Sequence, residues 1–375
     1  MPDSPTYALD TLRLLAAGLV RQHSNSRRGM ILDARDDQGR TVTPLLLLRA
    51  QARISRLQIA SGQVAVADSL HRLVADATQP LKDWAPPRLL EVLPDMNDLI
   101  LIDPVYRLPT PDCLNLAQAG GNLDDVRENE WHDRLRATLG TVPNASWRAG
   151  AYTALRRFIV EHPTATDDEL KQLTDTLDDL TLEPVLGPLL REMYRPVGGR
   201  AEQVRRCTRC HSPVQEGPDP QCASEHCRRQ SSGPAFSEPM HATELWALRR
   251  ELVYFWVNPG RAELALFDAL RQVREDVTLY PNEDEADIAI GGNHEVGLDL
   301  KDHLSMTSLA AHFQKSRGGL SRYRRAIVVV TDRGTPAHGE ARRDQLREAF
   351  QELDIDLEVM TSGDVLRTFG RGGPA

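Results

Sequence analysis

No apolar run in the 375-residue chain approaches the roughly 18 residues that a membrane-spanning helix needs, so no membrane span is expected. The beginning, MPDSPTYALD, lacks a basic region followed by an apolar stretch; a secretory signal is not expected, and a cytoplasmic location is. Cysteine is scarce. There are five, and four fall in a metal-ligand spacing, which in a reducing compartment points to metal and not to disulfides. An excess of positive charge is missing too. The net charge is −9, whereas nucleic-acid binding calls for a basic surface somewhere. The charge is uneven, however. Arg195 to Arg229 holds seven Arg against four acids, and Lys315 to Arg333 holds six basic residues against one acid, Asp332. Either stretch could present local positive surface or be ordinary solvated surface. Lysine is almost absent: of 45 basic residues only Lys82, Lys171, Lys301 and Lys315 are lysines. Where arginine serves as the general cation, a lysine inside a strand pattern calls for a reason.

What is present suggests two or three domains, with 41% apolar residues available for real cores. Residues 1–194 read as a mainly helical region. Tyr7 to Arg21 carries Leu9, Leu12, Leu15 and Leu19 at helical spacing, and Leu45 to Leu57, Val64 to Val74, Trp147 to Val160 and Asp167 to Met193 follow the same pattern. The last begins with a capping box, Thr166 with Glu169. Leu99 to Ile102 fits a short buried strand or part of a helix, and Cys113 a small core residue. Arg195 to Arg200 reads as a linker, residues 195–234 as a zinc-ribbon-like module, and Gln230 to Pro234 as a second loop. From about Met240 helices and strands alternate, so 235–375 is expected to be an α/β domain.

Cys207 and Cys210, then Cys222 and Cys227, form two close pairs bracketing a turn-rich segment. Zn²⁺ takes four soft ligands in a tetrahedron, and two pairs supply them with little chain. The second pair is wider than usual, so His226 or His211 could replace one thiolate. Four thiolates leave no open position, so the expected zinc is structural. The flanking Arg205, Arg206, Arg209, Arg228 and Arg229 allow a nucleic-acid contact, or the module is simply a staple.

A second constellation lies further on. Ala286-Asp287-Ile-Ala-Ile290, a glycine-rich turn, and Val296-Gly-Leu-Asp299-Leu-Lys301 read as a hairpin. If the hairpin is symmetric about Asn293, Asp287 faces Asp299, and opposed side chains have Cβ atoms about 5 Å apart. Carboxylates that close repel one another unless a cation sits between them. Lys301, two residues past Asp299, shares its face, while Leu298 and Leu300 point to the other. Upstream, Asn258 reads as a helix cap, Pro259 as the first turn, and Glu263 as part of the stripe of Leu266, Phe267, Leu270 and Val273. Three carboxylates and one amine in that order suit phosphodiester hydrolysis. Hard oxygens select Mg²⁺ or Mn²⁺, the metal acidifies a water, and Lys301 orients that water or stabilises developing charge. The competing reading is a surface hairpin with salt-bridged acids.

In these residues the chain resembles the PD-(D/E)xK restriction-endonuclease-like superfamily, in which a helical acid precedes a sheet bearing an Asp and a D/E-x-K. Glu263, Asp287, Asp299 and Lys301 fall in that order, and Ala286 stands where the name motif has proline. The line PGRAELALFDAL, ADIAI, VGLDLKDH and the VVVTD strand is similar, over about residues 240 to 370, to the subgroup encoded beside prokaryotic Piwi-like proteins and a helicase. That resemblance implies a DNA endonuclease in anti-phage or anti-plasmid defence with those partners. A catalytically inactive nucleic-acid-binding adaptor, or an RNase on the same scaffold, is the alternative. Trp246, Tyr254, Phe255 and Trp256 read as a helix leading into this domain. Gln314 could touch the site or be plain surface, and His303 could reach phosphate.

Overall fold

The computed structural model describes residues 5–27, 32, 43–62, 69–119, 130–142, 144–179, 183–197, 203–215, 220–222, 227, 235–292, 294–303, 305–332 and 335–370. Val64 to Asp68, the linker residues Gly198 to Arg200, His226, Arg228, Arg229, the loop Gln230 to Pro234, Asn293 and Arg333 lie outside the described residues. The fold is mixed α/β. No helix among the described residues is long and apolar enough to cross a membrane.

The chain divides into two compact units. One comprises residues 1–128, 303–316 and 345–356; the other comprises 129–302, 317–344 and 357–375. These units cut across the division expected at 194 and 234. The physical reason is a small sheet. Strands β1 (Thr164–Thr166) and β2 (Tyr194–Pro196) both pair antiparallel with a later strand, Leu245–Leu248, which lies between them. Backbone hydrogen bonds thus join the last part of the expected helical domain to the second unit.

The first unit is helical: α1 (Pro5–Arg27), α2 (Leu45–Ala60), α3 (Leu70–Asp76), α4 (Pro87–Val92) and α5 (Pro111–Ala119), with helix Met306–Lys315. Leu12, Leu15 and Leu19 of α1 are buried, as their helical spacing demands, while Leu9 is half-buried. Gly18 lets α2 approach closely, since a Cβ there would meet the Leu47 backbone at 2.6 Å. Cys113 is fully buried, with its Sγ 3.8 Å from the Ala16 carbonyl, and burial pushes its thiol pKa well up. Leu99 to Ile102 forms neither strand nor helix; Ile102 makes one isolated bridge to Pro109. His303 is buried, with its Nδ1 3.1 Å from the Asn115 amide and 3.3 Å from the Asp112 carboxylate, which gives it a structural role in this unit. Gln314 is exposed.

The second unit begins with α6 (Glu130–Leu139) and α7 (Ala145–Glu161), the latter capped by the Asn144 side chain. The long stretch expected from Asp167 to Met193 is two helices, α8 (Asp167–Asp179) and α9 (Glu183–Met193). The capping box at the start of α8 forms as read: Thr166 N–H donates to Glu169 (2.7 Å) and Glu169 N–H to Thr166 Oγ1 (3.2 Å). The cysteine-bearing segment contributes β3 (Gln203–Val204), β4 (Val214–Gln215) and β5 (Gln221–Cys222), and β3 pairs with β6 (Met240–His241). Trp246 lies on β7 (Leu245–Leu248), not on the expected helix.

From Arg250 the backbone is helical without a break to Arg271: an α-turn, a π-helical segment Val253–Val257, then α10 (Asn258–Arg271). Asn258 is therefore not a cap. Pro259 has no N–H to donate and crowds the carbonyl four residues back, and the wider π turn before it accommodates that defect inside a continuous helix. Val273 lies past the end of this helix and is exposed, so it leaves the expected stripe.

Five strands complete the unit: β8 (Val277–Leu279), β9 (Ile288–Ile290), β10 (Val296–Lys301), β11 (Arg325–Val330) and β12 (Glu358–Thr361). Their order is β12-β11-β10-β9-β8. The three strands β10 to β12 are parallel, while β9 runs antiparallel to both β10 and β8. Ile327 to Val330 are fully buried, as a central parallel strand requires. A final helix, Ser362–Phe369, packs against β11, β12 and α10.

Candidate functional site

The hairpin of β9 and β10 sets the first two acids. Leu298 pairs with Ile288, so the next position out puts Asp299 across from Asp287. Asp287 is tied into the ladder: its N–H donates to Leu298 O (3.0 Å), and its Oδ2 accepts the Leu300 N–H (2.5 Å). Leu298 and Leu300 are buried on the opposite face. Lys301 shares the acidic face, its Nζ 2.7 Å from Asp299 Oδ1, and remains 27% exposed. Burial works against the ammonium, but Asp299 and Asp287 outweigh it and hold Lys301 charged.

Glu263 comes from α10 and is 4% exposed. It accepts a hydrogen bond from Tyr280 Oη (2.6 Å) and lies 3.9 Å from Arg156 Nη2. Burial pushes its carboxyl up to about 7; Arg156 opposes that rise and Asp284 adds to it. Asp287 is raised well above the usual carboxylate range by burial first, then by Glu263 and Asp299. The three acids therefore sense one another's charge, and they hold on to protons unless a cation offsets them. Their oxygens are not drawn within 4.8 Å of one another; among the described residues that closeness belongs to two other sets, the four thiolates and His162, Glu169 and His211. Each acid instead has its own partner: Tyr280 for Glu263, the Leu300 N–H for Asp287, Lys301 for Asp299. All are hard oxygen donors, the set that suits Mg²⁺ or Mn²⁺.

Sequence reasoning missed Arg156. It sits on α7, is 5% exposed, and lies between the rings of Trp256 (4.6 Å) and Tyr280 (4.9 Å). Its Nε and Nη1 have no hydrogen-bond partner. Beside it, the turn from Tyr280 to Asp284 holds four left-handed residues: Tyr280 (φ 46°), Asn282 (50°), Glu283 (62°) and Asp284 (81°). Such backbone costs on the order of 1 kcal/mol or more per residue and persists only where its surroundings enforce it. The surroundings are α6 and α7. Arg136 donates to Glu283 O (2.7 Å), Arg148 to Glu283 Oε1 (3.2 Å), and Tyr152 Oη to Asp284 Oδ2 (2.8 Å). A scarcity signal existed for Lys301, but none in the local sequence marks Arg156 as a neighbour of Glu263.

The four cysteines meet. Cys207 and Cys227 Sγ are 3.6 Å apart, Cys210 and Cys222 are 3.3 Å apart, and all four lie within 4.8 Å of one another. A tetrahedron of zinc–sulfur bonds near 2.3 Å separates sulfurs by about 3.8 Å, so this set fits zinc without a histidine. The Cys222 thiol hydrogen-bonds Cys210 and pulls its pKa down to about 4, while burial and the charge of Cys210 push Cys227 up to about 12. Arg261, two residues before Glu263, donates to Cys210 O (3.0 Å) and Ser212 Oγ (3.3 Å), anchoring the cysteine segment to α10. The basic stretches are less bare than their composition suggests. Arg206 pairs with Glu169, Arg322 with Glu285, Arg324 with Glu295 (4.0 Å) and Arg325 with Glu358 (2.6 Å).

The second unit is thus a mixed α/β scaffold carrying a buried acid–lysine cluster and a four-cysteine cluster that could bind metal. Residues 260–371 match the family described as REase associating with pPIWI_RE, and residues 11–166 match the one described as pPIWI_RE three-gene island domain Y. Both descriptions refer to pPIWI_RE, which supports a pPIWI-associated family for the chain. No curated protein and no solved structure matches it.

Proposed function

We propose that the second unit is a divalent-metal-dependent nuclease that hydrolyses DNA phosphodiester bonds, and that the chain acts in defence together with a Piwi-like partner. The observation that carries this reading is Asp287 opposite Asp299 across adjacent strands, with Lys301 on the same face and Glu263 on the packed helix, inside the segment that matches the REase family. Glu263, Asp287 and Asp299 would hold Mg²⁺ or Mn²⁺, which when bound would supply charge stabilisation at the phosphoryl oxygens and an acidified water. Lys301 keeps a compact positive charge beside the acids, fit to orient the attacking water or to stabilise the oxygen that gains charge. The Leu300 N–H fixes one Asp287 oxygen, and the Tyr280 hydroxyl fixes one Glu263 oxygen. The four cysteines would hold a structural Zn²⁺ that anchors the segment packed on α10.

The test is cleavage of plasmid DNA and of DNA and RNA oligonucleotides with Mg²⁺ or Mn²⁺, with and without the pPIWI_RE protein. Asp299→Ala and Lys301→Ala are each expected to lower cleavage by at least about 10²-fold. Equal cleavage by wild type and both variants would refute the site, and cleavage of RNA alone would refute the DNA assignment.

A further inference from the structure

Away from the acid–lysine cluster, three side chains of the second unit converge where the cysteine-bearing segment meets the ends of α7 and α8. They are His162, Glu169 and His211, and one ligand atom from each lies within 4.8 Å of the others. His162 caps the end of α7 and stacks on Phe158 with ring centroids 4.3 Å apart. Its Nδ1 lies 3.2 Å from the Phe158 carbonyl. A carbonyl can only accept, so Nδ1 carries the proton and Nε2 keeps its lone pair. A ring nitrogen donating to a carbonyl while the other faces outward is the usual support of a metal-binding histidine. Glu169 is held ionised by Arg206 (2.8 Å) and the Thr166 N–H (2.7 Å), both on Oε2, and neither of those bonds uses its other oxygen.

His211 is the least expected of the three. It follows Cys210 in a left-handed turn (φ 52°), a position that glycine fills without strain. Its N–H donates to Cys207 O (2.9 Å), and its carbonyl accepts the Thr164 hydroxyl. Both bonds use only backbone and could serve any residue. Its side chain reaches toward His162, with ring centroids 5.5 Å apart and no hydrogen bond between the rings, and its Nδ1 is buried without a hydrogen-bond partner. A buried ring nitrogen without a partner costs on the order of 1–3 kcal/mol.

We propose that His162, Glu169 and His211 form a second metal site, separate from the four thiolates, that takes a Zn²⁺-class ion through two imidazoles and one carboxylate. Two nitrogens and one oxygen favour zinc, cobalt or nickel over magnesium, and three protein ligands leave a fourth position for water or a ligand. The site clips the cysteine-bearing segment to α7 and α8. It does not depend on the nuclease reading.

The experiment uses the full chain, stripped of metal by a chelator and titrated with Co²⁺, with Zn²⁺ content then counted by native mass spectrometry. Thiolate-bound cobalt gives intense charge-transfer bands, and nitrogen–oxygen ligation gives only weak visible ones, so the two sites separate spectroscopically. Wild type is expected to take one equivalent of each kind and two Zn²⁺. His162→Gln and Glu169→Gln should keep the thiolate equivalent and bind the other more weakly by at least the roughly tenfold that loss of even an outer partner costs. Glutamine still serves a capping box, so α8 should survive in Glu169→Gln, and unchanged circular dichroism would check this. Absence of any equivalent lacking thiolate bands in wild type would overturn the proposal, and so would wild-type binding of that equivalent in both variants.

Discussion

Glu263→Gln provides a direct measure of what the acid cluster costs in the absence of metal. Burial raises the Glu263 carboxyl from 4.5 to about 7. Between those values the folded chain holds a proton that the unfolded chain has released, so stability must fall as pH rises through that window. Every tenfold difference in proton affinity between the folded and unfolded chain corresponds to about 1.4 kcal/mol, which makes the total loss about 3 kcal/mol by pH 8. Glutamine is neutral at every pH and can still accept from Tyr280. Relative to wild type, the variant should therefore gain about 3 kcal/mol of stability between pH 4 and pH 8. Denaturant unfolding of both proteins in a chelator at the two pH values reads the difference directly. Divalent metal should reverse the order at pH 8, because it binds the ionised carboxyl; Mg²⁺ at 100 times its Kd would stabilise wild type by about 2.7 kcal/mol. A wild-type-to-variant difference that stays constant to within about 1 kcal/mol from pH 4 to pH 8 would refute the charge assignment.

Arg156→Met should destabilise the chain by about 2–4 kcal/mol, because it removes a desolvated cation from two aromatic faces at roughly 1–2 kcal/mol each. For a unit of this size the melting temperature should fall by on the order of 10 °C, and a change under about 2 °C would count against the contact. Any nuclease activity left in that variant should need higher pH, since Arg156 lowers the Glu263 pKa. Gly319→Ala should cost at least about 2 kcal/mol, because its Cβ would stand 2.0 Å from the Glu285 carbonyl oxygen, a backbone atom that cannot rotate away. Gly292→Ala, with nothing within 4 Å of its Cβ, is the matched control, and equal melting temperatures for the two variants would refute the steric account.

The hairpin was readable because strand alternation and a short turn fix register together. Equal spacing of Asp287 and Asp299 from the turn sufficed to oppose them, and Leu298 and Leu300 fell to the other face. The four cysteines were readable because metal-ligand spacing is local. The start of α10 was misread because Asn-Pro is a strong helix-start signal, whereas here a π turn carries the helix through it. Strand β8 escaped because three residues show no periodicity. Arg156 and the His162–Glu169–His211 cluster depend on contacts far apart in the chain, which no window of neighbouring residues contains.

Helix α7 ties these threads together. It falls in the segment that matches domain Y, yet it belongs to the compact unit that holds the REase match. Arg156 in its middle faces Glu263, Tyr152 and Arg148 pin the strained turn that presents Tyr280, and His162 at its end meets His211 of the cysteine segment. A fragment that begins at the sequence boundary near residue 235 would keep Glu263, Asp287, Asp299 and Lys301 but strip Glu263 of its only close cation on α7. It would also leave β7 without either of its partner strands. The acid–lysine cluster is thus encoded within about forty residues, while its electrostatic and backbone support comes from more than a hundred residues upstream.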